Sequence, residues 1–185
     1  MRRTNLINVV DLEATCERGN PRGWQSEIIE IGICTLDLQT LELANKTSLI
    51  VRPVVSYVTP FCTELTSLTQ ADVDSGMSLK EAFDRIKRDF NSKAETWASY
   101  GAYDRKMVER ECRAKGLEYP FGDDHWNVKS MYARLNGLDR EVGMAQALEI
   151  AGIPLEGKHH RGDDDSWNIG KLLRKVILTF RTNVN

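Results

Sequence analysis

Two segments decide the fold: LINVVDLEATC over residues 6–16 and EIIEIGICTLDL over 27–38. The run LINVVDL (6–12) is apolar almost throughout and reads as a buried strand that ends in acidic residues. CERGNPRGWQS (16–26) is polar and glycine-rich, hence a loop. EIIEIGICTLDL (27–38) and LELANKTSLIVR (41–52) read as two more strands, and the short Gln39-Thr40 connection between them suggests a hairpin.

Downstream the period changes. Ser78 and Glu81 have the spacing of a capping box, and Leu79, Ala82, Phe83, Ile86 and Phe90 follow as one helical stripe. TWASY (96–100) is a short strand, and residues 104–115 form a charged helix with Gly116 as its C-cap. Residues 143–151 make a short helix before Gly152 and Pro154. The last helix begins near Asp163–Asp165 and continues through Ile169, Leu172, Leu173, Val176, Ile177 and Phe180. A β-meander followed by alternating helices and strands predicts one α/β domain over residues 1–185, with a mixed central sheet flanked by helices.

Composition bounds the function. The 185 residues are 41% hydrophobic and 28% charged, as in an ordinary globular domain. With 25 Lys plus Arg against 27 Asp plus Glu, the net charge of −2 lacks the basic excess of most nucleic-acid binders. An acidic metal site offsetting a basic rim gives the same balance. No apolar run is long enough to span a membrane, and the first apolar stretch meets Asp11 too soon for a secretory signal. A cytoplasmic protein is expected. Cys16, Cys34, Cys62 and Cys112 show no CxxC pair, so free thiols are expected rather than disulfides or zinc.

The chemistry lies in the acids. Asp11 and Glu13 alternate onto one face of a strand, roughly 6–7 Å apart along the chain. Paired carboxylates repel, and hard divalent ions such as Mg²⁺ or Mn²⁺ offset that cost. By itself D-x-E also fits two solvated acids, and Asp104 alone reads as a helix N-terminal acid. The segment KHHRGDDD (158–165) is sharper. Asp165 shares its helical face with Ile169, Leu172 and Val176, so it turns inward; Asp164 falls with Asn168, Lys171 and Lys175 on a polar face. His160 lies five residues before Asp165 on a glycine-containing loop; His159 is its rival, with an exposed loop histidine as the plainer reading. Separated acids plus a histidine are the ingredients of a two-metal hydrolase, in which neutral imidazole takes a proton from water.

In order along the chain, VVDLEATCERGN (9–20), EIIEIGI (27–33), VRP (51–53), FCTELTSLTQADVD (61–74), SYGAYD (99–104) and HRGDDDSWNIGKLL (160–173) form one pattern. It resembles the histidine-bearing (DEDDh) branch of the DnaQ-like 3′-to-5′ exonucleases, nearest to the RNA 3′-end trimming group. The resemblance implies an RNase H-like fold and hydrolysis at the 3′ end of single-stranded RNA, releasing 5′-mononucleotides. It implies two divalent ions, Mg²⁺ or Mn²⁺, with Asp11 bridging both, Glu13 and Asp165 completing the tighter site, and Asp104 reaching the second. His160 is the implied general base. Ala14, Thr15, Phe61, Leu65 and Tyr103 are the implied contacts to the terminal nucleotide; Phe61 and Leu65 also fit ordinary core packing. A DNA-directed exonuclease and a non-catalytic RNA-end-binding module are the alternatives.

The chain departs from the pattern in places. Tyr103 stands where close relatives tend to carry Trp, and Asp163 where an apolar residue is usual, adding negative charge that is expected to raise either the metal requirement or the pKa of His160. Lys158 and Arg161 are expected phosphate contacts. Arg105, Lys106, Arg110, Arg113 and Lys115, mixed with Glu109 and Glu111, read as a solvated face. Glu30 reads as a supporting residue rather than a ligand. Some relatives' auxiliary RNA-binding domains have no counterpart in these residues, so a structured RNA is expected to need a partner for tight binding.

Overall fold

The computed structural model describes residues 5–19 and 21–184, with side chains to Thr182. The first four residues and Asn20 of the expected loop lie outside the described residues. Strands β1 (Leu6–Ala14), β2 (Ile28–Asp37) and β3 (Leu43–Ile50) form an antiparallel meander. Strands β4 (Thr96–Ser99) and β5 (His125–Asn127) extend it parallel to β1, giving the order β3-β2-β1-β4-β5. The sheet is mixed, as the sequence predicts. The helices are α1 (Pro60–Thr66), α2 (Gln70–Asp74), α3 (Leu79–Asp89), α4 (Tyr103–Lys115), α5 (Val128–Leu135), α6 (Met144–Ala151) and α7 (Gly162–Val184).

Both faces of the sheet are covered, which explains why β1 and β2 read as near-continuous apolar runs. Val10, Leu12, Ile31 and Ile33 pack under α3 and α4, against Phe83, Ile86, Met107 and Val108. Ile7, Val9, Cys34 and Leu36 face α5–α7, against Ile169, Leu172, Leu173 and Val176. A smaller cluster of Ile29, Val58, Cys62, Leu68 and Val73 sits beneath α1 and α2. No described helix is long and apolar enough to cross a membrane.

One contact positions everything that follows. Glu30, Gly32, Cys34 and Leu36 alternate onto the α7 face of β2. At Gly32 the backbones of sheet and helix meet: a Cβ there would lie 1.8 Å from the carbonyl carbon and oxygen of Gly162. Cys34 Sγ donates to the Ser166 carbonyl oxygen at 3.4 Å, one helical turn further on. Glycine at position 32 therefore sets the depth of the first turn of α7.

Four expectations are corrected. The hairpin turn is longer than Gln39-Thr40: Asp37 Oδ1 accepts from the N–H groups of both residues, Leu41 takes φ 61°, and β3 starts only at Leu43. The polar face of α7 is solvated only at its far end, at Lys175, because residues 154–157 cross the rest. Asn168 is fully buried, bonding to Glu156 N–H and C=O, and Lys171 pairs with Glu156 at 2.6 Å. The apolar stripe of α7 ends before Phe180, which is 61% exposed. On α4, Lys115 is bound to Glu27 and Glu111 at 2.7 and 2.8 Å, and Arg110 donates to the Ser26 carbonyl oxygen.

Candidate active site

Asp11 and Glu13 project from β1 toward α7, flanked by Val10, Leu12 and Ala14 on the opposite face. A bulge between Glu13 and Ala14 ends the regular pairing with β2. On the other edge, β1 pairs with β4 only as far as Val9, so the N–H of Leu12 has no strand beside it. The Asp104 carboxylate fills that gap, accepting from Leu12 N–H at 3.1 Å, which brings the start of α4 to the acidic pair. Asp165, in the first turn of α7, arrives from the third direction and is buried. Asp11, Glu13 and Asp165 each offer a carboxylate oxygen, all within 4.8 Å of one another.

The segment before α7 is held by Glu30. This wholly buried carboxylate accepts from Arg161 Nε and Nη2 at 3.2 and 3.1 Å, from Gly162 N–H at 3.0 Å and from Ser48 Oγ at 2.5 Å. Arg161 was expected at a phosphate; its guanidinium is instead committed to Glu30, because a buried acid requires a cation. Lys158 is exposed. His160 adopts φ 66°, and its backbone N–H donates to Asp165 at 2.8 Å. The His159 ring stacks on that of His160 with centroids 4.0 Å apart, and its Nδ1 bonds Asp165 at 2.9 Å. His159 is therefore part of the site and not a free loop residue. Sequence reasoning left it open as the rival of His160, because the positive-φ turns at His160 and at Gly157 that accompany its folded-back ring are not visible in the sequence.

Asp11, Glu13, Asp104, His159, His160 and Asp165 line an open cleft of about 280 Å³. Ala14, Leu65 and Tyr103 also line it. Thr15 and Phe61 do not. Thr15 is buried, its hydroxyl against Ser56 Oγ and Glu27 N–H, and Phe61 lies one turn from Leu65 beneath the Arg18 guanidinium.

Electrostatics mark the cluster as short of positive charge. Burial, and then the charges of Asp104, Glu13 and Asp165, hold the Asp11 carboxyl well above the usual range. Burial and the neighbouring acids, Asp165 first, push Glu13 up to about 8, against Arg161. Burial lifts Asp104 to about 6, despite the Leu12 and Ser99 hydrogen bonds. The hydrogen bond to Asp165 raises His159, whereas burial and its neighbour His159 lower His160. The rise expected for His160 from Asp163 is thus corrected: Asp163 and Asp164 lie against Lys46 of β3, which absorbs their charge.

The raised carboxylates bind protons in the folded state that the unfolded chain has released, so folding stability falls as pH rises. With Glu13 near 8 and Asp104 near 6, metal-free protein should lose stability progressively between about pH 4.5 and 8. We expect the Tm in EDTA to drop by roughly 5 °C or more over that window, and Mg²⁺ to restore it mainly at the alkaline end. Calorimetry across pH with and without metal checks this; a flat or rising profile in EDTA contradicts it.

An exonuclease (RNase T) family model matches residues 9–173, nearly the whole chain. The chain belongs to the exonuclease family. Human 3′-5′ exoribonuclease 1 is 31% identical over 183 residues, covering 94% of the chain and 52% of that protein. The probable 3′-5′ exonuclease KapD of Bacillus subtilis is 28% identical, covering 94% and 85%. Among solved structures, the nuclease domain of 3′hExo, a DEDDh member bound to rAMP, superposes with a TM-score of 0.81 at 30% identity, covering 95% and 92%. The fold is therefore that of the RNase H-like DEDDh exonuclease domains. The chain spans about half the length of the exoribonuclease 1 relatives it matches. The DEDDh family is metal-dependent, and Asp11, Glu13 and Asp165 of this exonuclease domain converge as a group that could hold a metal ion.

Proposed function

We propose that residues 1–185 form one exonuclease unit that hydrolyses the 3′-terminal phosphodiester of single-stranded RNA or short oligonucleotides and releases 5′-mononucleotides. One observation carries the reading: the oxygens of Asp11, Glu13 and Asp165 gather within 4.8 Å of one another in a cleft that also holds His160. The relatives' names, and rAMP on the 3′hExo nuclease domain, support RNA as the polymer.

The donor set fits hard divalent ions, because it is all carboxylate oxygen with unrelieved negative charge. Asp11, Glu13 and Asp165 would hold one Mg²⁺ or Mn²⁺, and Asp104 with Asp11 a second. Such ions supply charge stabilisation to the attacking and leaving oxygens of the displacement. His160 then takes the proton from the attacking water as its oxygen bonds to phosphorus and the bond to the 3′-oxygen breaks. The lowered pKa keeps its imidazole neutral and able to accept at neutral pH. Asp165, fixing the His160 backbone, sets where that ring hangs. Leu65, Tyr103 and Ala14 line the space for the terminal nucleotide.

A 5′-labelled oligonucleotide should shorten stepwise from its 3′ end in Mg²⁺ or Mn²⁺. RNA and DNA of one sequence, run in parallel, separate the ribonuclease from a DNA-directed enzyme. Tight end-binding without shortening in either ion identifies a non-catalytic module and overturns the proposal. His160→Ala should lower kcat about 100-fold or more while metal affinity, measured by titration calorimetry, stays within about twofold.

A further inference from the structure

A second set of metal donors shares Asp165 with the acidic cluster. His159 and His160 each offer a ring nitrogen and Asp165 a carboxylate oxygen, all within 4.8 Å of one another. We propose that these three residues form a transition-metal site, selective for Zn²⁺ over Mg²⁺, whose occupation inhibits the enzyme by engaging the ring of His160. Binding stands on the donor set; the inhibition rests on the exonuclease reading.

Imidazole nitrogen suits zinc, whereas Mg²⁺ keeps to oxygen. Two imidazoles and one carboxylate, with water in the fourth position, complete a zinc coordination shell. Asp11, Glu13 and Asp165 offer oxygen alone and have the opposite preference, so the cleft holds two overlapping sites of different selectivity. The distances agree with the chemistry. His159 Nδ1 lies 3.1 and 2.9 Å from Asp165 Oδ1 and Oδ2. Two donors each about 2.1 Å from a zinc ion stand about 3.0 to 3.4 Å apart, for angles between a right angle and the tetrahedral one. The ion therefore takes the place of the hydrogen-bond proton with only a small shift of either side chain. His160 supplies the third ligand by turning its ring. The two rings are now stacked, 20° from parallel with centroids 4.0 Å apart, and must splay before both can aim a nitrogen at one ion. Among the described residues no hydrogen bond holds the His160 ring in that stack; it is the backbone N–H of His160 that is bound to Asp165. The frame around the rings is firm. Asp165 is buried in the first turn of α7, and Arg161, next to His160, is tied to Glu30. The His159 side chain is 39% exposed, which lets an ion enter from solvent. Once one nitrogen of His160 binds zinc and the other carries its proton, the ring has no lone pair left to take a proton from the attacking water.

Titration calorimetry with Zn²⁺ on the whole chain, free of Mg²⁺, should show one tight site. His159→Ala should weaken it at least about tenfold, and Asp11→Asn clearly less. X-ray absorption at the zinc edge of the wild-type protein should show nitrogen and oxygen neighbours at about 2.0–2.2 Å, with the outer shells of two imidazole rings. The reverse order of the two variants, an oxygen-only shell, or sulfur at about 2.3 Å would overturn the site and place zinc at the acids or at the cleft thiol of Cys16. In millimolar Mg²⁺, micromolar Zn²⁺ should stop the shortening of 5′-labelled RNA. His159→Ala should need at least about tenfold more zinc, judged against its own rate in Mg²⁺ alone. Equal zinc sensitivity of the two proteins overturns the inhibition. If the wild-type chain cuts no RNA in Mg²⁺ or Mn²⁺, the exonuclease reading fails instead, and calorimetry and absorption still decide the zinc site.

Discussion

Asp11→Asn should lower kcat by about three orders of magnitude and, in the absence of metal, raise the Tm by about 3 °C. The two effects have one cause. Asp11 is opposed electrostatically by Asp104, Glu13 and Asp165 together, with burial adding the largest penalty to its charged form. An amide keeps the shape and removes one of the crowded charges, which relieves the folded state by about 1 kcal/mol or more. The same substitution takes away a ligand from the charge-stabilising centre, a loss of several kcal/mol in the transition state. Activity assays and melting in EDTA read the two arms separately. Loss of activity together with loss of metal-free stability would show instead that Asp11 is a structural carboxylate.

Gly32→Ala should be nearly as damaging, although residue 32 is no part of the chemistry. Its new methyl group would lie 1.8 Å from backbone atoms of Gly162, and neither side of that contact is a flexible chain end. Either β2 bends or α7 retreats, at about 3 kcal/mol. Retreat of α7 carries Asp165 and His160 away from Asp11 and Glu13, and displacement of about 1 Å costs about 100-fold in rate. Urea unfolding and kcat/KM measure both. An unchanged rate in a destabilised protein would mean that the sheet yields and the helix stays.

The legible parts of this chain are those in which spacing repeats. Leu79, Ala82, Phe83 and Ile86 cover about two turns of α3, and Asp165, Ile169, Leu172 and Val176 about three of α7, so the inward turn of Asp165 follows from the helix period. The segments around DLE and EIIEIG read as strands because they are near-continuous short apolar runs interrupted by acids. What sequence reading left blank is short. Helices α1 and α2 hold seven and five residues, too few for a period to show, although Thr59 before Pro60 and the Thr69–Asp72 box are both start signals. β5 is three residues on the sheet edge, followed at once by α5, whose N-cap is Asn127.

The site divides in the same way. Asp165 is readable because an acid on an apolar stripe is out of place, whereas Asp11, Glu13 and Asp104, each of which alone fits a solvated or helix-terminal acid, are assigned through the family resemblance. The fates of His159, Arg161 and Asn168 were not readable, since each depends on how residues 154–162 fold back over α7 and β2. Local sequence holds the glycines that permit that path but not the partners met along it. Glu30 shows the same limit: its alternation with Gly32 is visible in EIIEIG, whereas its grip on Arg161 and Gly162 appears only in three dimensions.

Anomalous diffraction from crystals soaked in millimolar Mn²⁺ tests most directly whether β1, α4 and α7 jointly form a cation site. Two peaks are expected, one enclosed by Asp11, Glu13 and Asp165 and one between Asp11 and Asp104. A map without density at those carboxylates, or with manganese bound only at surface acids, would contradict it.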